Sequence, residues 1–134
     1  MKKLLTLIFL LAPLMVFTQK EFAVFHTNES IKIDGKLENI WFKADSTSNF
    51  VQLEPFIGDP SSRRTVVRAI QTEKSLFFSF VCYIDDPSEI VSKIQQRDGL
   101  EPSDDLAILI LDTYHDKRTA VVFGINPTGT LKDL

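Results

Sequence analysis

Apolar and polar residues alternate along most of this chain, most clearly in two stretches. Over residues 76–84, Leu76, Phe78, Phe80, Cys82 and Ile84 fall on one face of an extended strand, with Phe77, Ser79, Val81 and Tyr83 on the other. Both faces are largely apolar, which predicts a central strand covered on both sides. On that pattern Cys82 is a small buried hydrophobe. Thr65–Gln71 alternates just before it, and the polar run Thr72-Glu73-Lys74-Ser75 between them predicts a hairpin turn. Residues 106–111 form an unbroken apolar run, read as a second doubly buried strand. Residues 119–125 return as its antiparallel partner after a polar turn over 114–118.

The remaining segments are shorter. Residues 22–26 are a brief apolar run, and Ile31-Lys32-Ile33 alternates ahead of the turn pair Asp34-Gly35. Leu37, Ile40, Trp41 and Ala44 fall at i, i+3, i+4 and i+7, the apolar face of one short helix. That periodicity assigns Trp41 to the core. Residues 49–53 read as a further strand, and 54–64, with Pro55, Gly58 and Pro60, as a surface loop. Asp85-Asp86-Pro87 ends the long strand; Ile90, Val91 and Ile94 then suggest a short helix or an edge strand. A polar loop covers 95–104, and Asn126-Pro127-Thr128-Gly129 marks another turn. The order predicts an all-β chain, an antiparallel β-sandwich with one short helix.

The amino terminus stands apart. Lys2 and Lys3 precede an apolar stretch over 4–17, broken only by Thr6 and Pro13. A basic start, a short apolar run and a small residue near its end form the pattern of a secretory signal. A membrane-crossing helix needs about 20 apolar residues, more than this run provides. Residues 1–18 are therefore expected to be a signal peptide cut before Gln19, leaving 19–134 as one exported domain. Its destination would be the periplasm, the outer membrane or the exterior.

Charge and composition narrow the chemistry. The formal net charge is −3, so there is no basic field to hold a nucleic-acid backbone. A single cysteine allows no internal disulfide and no cysteine metal cluster. Catalysis needs a matched acid and base, or a nucleophile with its base. Neither His26 nor His115 has such a setting, and no carboxylate spacing singles out a catalytic pair, so the reading is non-enzymatic. Asp85, Asp86, Asp104, Asp105, Asp112 and Asp116 gather at strand ends, where calcium could find oxygen ligands. Turn and capping roles are the commoner use of such aspartates.

Several phrases together resemble a known family: Ile33-Asp34-Gly35-Lys36-Leu37 with Ile40-Trp41, Leu109-Ile110-Leu111-Asp112, and Asp116-Lys117-Arg118-Thr119-Ala120 continuing through Phe123-Gly124-Ile125-Asn126-Pro127-Thr128-Gly129. They are similar to family 9 carbohydrate-binding modules. They look closer still to a domain of uncharacterised exported bacterial proteins, where it precedes an outer-membrane-type β-barrel. The resemblance implies a β-sandwich of which this chain carries the front part, the family's later strands having no counterpart here. It also implies a sugar site with a clamp tryptophan, a carboxylate and an arginine, positions that map to Pro102, Ile108 and Gly124. None of those residue types is kept, which predicts weak sugar binding or none.

Sugar recognition needs exposed aromatic faces and fixed polar groups. Phe56, in a polar loop, and Asp104, Asp105 and Asn126 are the candidate ligand-binding residues. Two functions follow. One is a non-catalytic carbohydrate-binding module that takes an oligo- or polysaccharide, as in polysaccharide breakdown. The other is an interaction domain packing on a following barrel or an envelope partner.

Overall fold

A computed structural model describes residues 21–93, 96–99 and 103–133. The expected signal over 1–18 lies outside these residues, as do Ile94 and Pro102. Among the described residues, strands form two sheets. The first contains β1 (Phe25–His26), β2 (Ser46–Thr47), β3 (Thr65–Gln71) and β4 (Leu76–Cys82). The second contains β5 (Ala107–Leu111), β6 (Val121–Ile125) and β7 (Leu131–Asp133). Among the described residues helical structure is confined to two short 3₁₀ turns, Asn39–Lys43 and Pro87–Glu89. The fold is all-β, with two sheets in a sandwich-like arrangement, as the strand pattern predicts. No helix among the described residues is long and apolar enough to cross a membrane.

β3 organises the first sheet. Val66, Val67, Ala69 and Ile70 are all buried on it. β4 runs antiparallel along one edge, in a register from Thr65 opposite Cys82 to Gln71 opposite Leu76. The other edge is divided between two short strands: β1 lies parallel, with Phe25 opposite Ile70, and β2 antiparallel, with Ser46 opposite Arg68. Thr72 closes the β3–β4 turn. Its amide donates to the Ser75 carbonyl at 2.9 Å, and its hydroxyl accepts from the Ser75 amide at 3.2 Å.

The hairpin is as expected, but β4's place in the sheet is not. Among the described residues β4 pairs with β3 alone and is an edge strand, and both Leu76 and Cys82 are exposed. Apolar residues on both faces report layers above and below a strand; they carry no information about neighbours in the plane of the sheet. Cys82 is correspondingly an exposed thiol rather than a buried hydrophobe.

The core lies on the face of this sheet that carries Ile70 and Phe77. Ile40, Trp41 and Ala44 pack there with Ile70, joined by the partly buried Phe25, Ile31, Leu37 and Phe77. The predicted apolar face is the face that is buried, although the segment forms a tight 3₁₀ turn rather than an α-helix. The Trp41 amide donates to the Glu38 carbonyl at 3.0 Å, and the Ala44 amide to the Trp41 carbonyl at 3.3 Å. Beside it the Arg68 guanidinium lies 5.4 Å from the centre of the Phe42 ring and covers that half-open aromatic.

Three short predicted elements do not form. Residues 31–33 are irregular: Ile31 turns to the core while Ile33 is 90% exposed. Asp34 accepts from the Lys36 amide at 3.0 Å, and Gly35 takes the positive φ of 77° that this turn requires. Residues 49–53 contribute one bridge, Val51 to Pro60, because their backbone groups are used inside the adjoining loop. There the Gln52 amide donates to the Asp59 carbonyl, and the Gly58 amide to the Gln52 carbonyl. Ile90 and Val91 are exposed and belong to neither a helix nor a strand. In the second sheet β5 is covered less than expected, since Ile108 and Ile110 are 50% and 65% exposed. β7, three residues with a single apolar side chain, adds a strand that the pattern does not announce.

Candidate functional site

The turn after β6 is built around Asn126. Its backbone carbonyl accepts from the Gly129 amide at 2.9 Å, and its Oδ1 accepts from the Thr130 amide at 2.8 Å. The Thr128 hydroxyl lies 2.9 Å from the same oxygen. Gly129, at φ 85°, supplies the left-handed residue that closes the turn. On its other side Asn126 Nδ2 donates to the Lys93 carbonyl at 2.9 Å and to Asp104 Oδ2 at 3.3 Å. Asp104 Oδ2 also accepts from the Lys93 amide at 3.2 Å. Next to it, Asp105 and Val91 exchange two bonds: Asp105 N to Val91 O at 2.7 Å, and Val91 N to Asp105 Oδ2 at 2.9 Å.

Three of the four candidate residues therefore come together. Asp104 and Asn126, 7% and 3% exposed, form a buried polar junction, with Asp105 on its rim. Their bonds fasten the irregular segment after Pro87–Glu89 to the start of β5 and to the β6–β7 turn. Much of the hydrogen-bonding capacity that could meet a ligand is directed at this protein's own backbone. Lys93, Thr128 and Thr130 complete the junction, and their part was not foreseen; the turn residues at 126–129 were the one clue. Phe56 lies elsewhere, 64% exposed in the 52–60 loop, where its carbonyl accepts from the Asp59 amide at 3.1 Å.

The other aspartates shape turns. Asp112 accepts from the Asp116 amide at 3.1 Å and the Lys117 amide at 2.9 Å. Asp116 accepts from the Arg118 and Thr119 amides at 2.8 and 2.9 Å and from the Thr119 hydroxyl. These bonds hold a β5–β6 connection in which His115 and Lys117 adopt positive φ. They also favour the charged carboxylates. The Lys117 amide foremost holds the Asp112 carboxyl below its ordinary 3.8, and the Thr119 and Arg118 amides do the same for Asp116. Asp86 is lowered likewise by its bond from the Ser88 amide, which caps the second 3₁₀ turn. Asp85 pairs with Arg63, which also reaches Glu89. Among the described residues no three carboxylate, histidine or cysteine side chains converge as a metal site.

A different surface stands out once the strands are in register. Ile108 is directly opposite Gly124, Ile110 opposite Val122, and Gly124 opposite Lys132. Directly opposed residues share a face. The two positions that the family resemblance assigns to a carboxylate and an arginine are thus neighbours on one side of the second sheet. In this chain they are an isoleucine and a residue with no side chain. The result is a half-open apolar surface in which Ile108 and Ile110 stand beside Val122, Ile108 also lining a cleft with Val67 and Phe80 of the first sheet, with Lys132 the charged residue in the row. Tyr83, another exposed aromatic, is covered by the Arg64 guanidinium 5.0 Å from its ring. No family model matches the chain, and no curated protein and no solved structure matches it either.

Proposed function

We propose that this chain is a non-catalytic, exported module with the architecture of a carbohydrate-binding domain, and that its ligand is a protein surface. The docking face is the side of the β5–β6–β7 sheet that carries Ile108 and Ile110. The observation that carries this reading is the pairing of half-exposed Ile108 with Gly124. A sugar-binding face presents polar groups at alternate strand positions, whereas this face presents branched aliphatic side chains, which gain most from burial against another apolar surface. Export is supported by the basic start and short apolar run at residues 2–17. The partner in this reading is a following barrel domain or another protein of the envelope.

Carbohydrate recognition is the second reading, favoured by the family resemblance and by the open Phe56 ring. One pair of experiments separates the two. A photo-crosslinking side chain at Ile110, with a control at the exposed Ile33, which lies outside the second sheet, is expected to capture one protein from the envelope at position 110 only. Calorimetry of the full chain against cello- and xylo-oligosaccharides is expected to be silent. A micromolar dissociation constant for any of those sugars, with equal crosslinking at the two positions, would overturn the first reading in favour of the second.

A further inference from the structure

The open edge of β4 has its own logic, independent of the face just described. The Tyr83 amide donates to the Arg64 carbonyl, and the Thr72 amide to the Ser75 carbonyl, both at 2.9 Å. These two bonds fix the alternation of the ladder. Phe77, Ser79 and Val81 point their backbone groups at β3, and Leu76, Phe78, Phe80 and Cys82 point theirs away. No hydrogen bond among the described residues meets that outer row. The strand contains none of the usual deterrents to edge pairing: no charge, no proline and no bulge. A cleft runs beside it, lined by Phe78, Ser79 and Phe80 together with Ile31, Leu37 and Ile125. Ser79 is 8% exposed, and its hydroxyl has no hydrogen-bond partner among the described residues.

We infer that this edge pairs with the same edge of a second copy, antiparallel, with a two-fold axis passing through Ser79. In that register Phe78 stands opposite the partner's Phe80, and Leu76 opposite the partner's Cys82. All four outward-facing residues then form hydrogen-bonded pairs, and the full length of the strand is used. Ser79 faces its own symmetry mate in a non-hydrogen-bonded pair, where side chains approach most closely. That supplies the one buried hydroxyl of the strand with a polar neighbour. The product is one continuous sheet made from two four-stranded ones, with closed two-fold symmetry.

The register makes the test specific. In a Cys82→Ser background, Ser79→Cys places two thiols on the axis, at a spacing that suits a disulfide. Mild oxidation is expected to yield a reducible covalent dimer. Phe77→Cys in the same background faces the partner's Val81 and is expected to remain monomeric on denaturing gels. Hydrogen exchange on the unmodified full chain checks the same point without mutation: amides of Leu76, Phe78, Phe80 and Cys82 gain protection as concentration rises, while sedimentation moves from one chain mass to two. A monomer at every concentration overturns the inference, whether those amides exchange freely or are protected by some other strand. Equal cross-linking at positions 77 and 79 overturns the register.

Discussion

Ile108 and Gly124 face each other across the β5–β6 ladder, so the half-exposed isoleucine has no side chain directly opposite it on its paired strand. Neighbouring Ile110 is more open still. Water is therefore left against branched aliphatic carbon, with Lys132, opposite Gly124, the charged side chain in the same row.

Replacing both isoleucines with threonine keeps the β-branched shape that strands favour while removing the apolar surface. Folding stability is expected to change by no more than about 0.5 kcal/mol per site, as for exposed positions away from special features. Binding of an apolar dye such as ANS is expected to fall markedly. Urea denaturation and dye titration on the same samples check this, and a large stability loss would show that the face is covered within the monomer.

Asn126→Ala removes the donor to Lys93 and Asp104 and the acceptor for the Thr130 amide, all in a buried junction. The expected cost is roughly 1–3 kcal/mol, because several hydrogen bonds of a largely buried junction are removed together. Thr128→Ala deletes an exposed hydroxyl that reaches the Lys93 carbonyl and Asn126 Oδ1 and is expected to cost less than about 1 kcal/mol. Chemical unfolding of the two variants measures the difference.

Acid should weaken the β5–β6 connection. Asp112, Asp116 and Asp86 all titrate below their ordinary 3.8 in the folded chain, chiefly through bonds from backbone amides. A depressed carboxyl contributes stability above its unfolded value, and that contribution is lost as pH falls through the folded one. The unfolding midpoint is expected to hold steady above about pH 5 and to drop below about pH 4. The double variant Asp112→Asn/Asp116→Asn should start lower at neutral pH and show a shallower decline.

Trp41, the single tryptophan, is 4% exposed beneath the first sheet. Its emission should be blue-shifted in the native protein and move to the red on unfolding, which makes it a built-in reporter. Trp41→Ala is expected to cost about 3–5 kcal/mol, enough to unfold a small domain. Addition of oligosaccharide should leave the emission unchanged.

What could be read from the residues follows from which forces are local. The β3–β4 hairpin was legible because alternation, strand length and a four-residue polar turn all agree. The buried face of Ile40, Trp41 and Ala44 was legible for the same reason, although its 3₁₀ form was not. The edge position of β4 was hidden, because pairing within a sheet leaves no mark on side-chain polarity. Residues 49–53 look like a strand on composition, yet a nearby loop captured their hydrogen bonds. Asp104, Asp105 and Asn126 were recognisable as polar residues at strand ends. Their mutual bonding was not, since it depends on how the 91–93 segment returns to the sheet.

The sharing of one edge of β3 by β1 and β2 bears on the order of assembly. β4 is joined to β3 by a short turn and can zip onto it at once, a fast local event. β1 and β2 must come back from far upstream, each closing a long loop for only a two-residue contact. They find a docking edge only after β3 is already in place. The amino-terminal segment should thus be the last part to settle and the first to let go, and partial unfolding would expose Ile70 and Trp41 while the hairpin still stands.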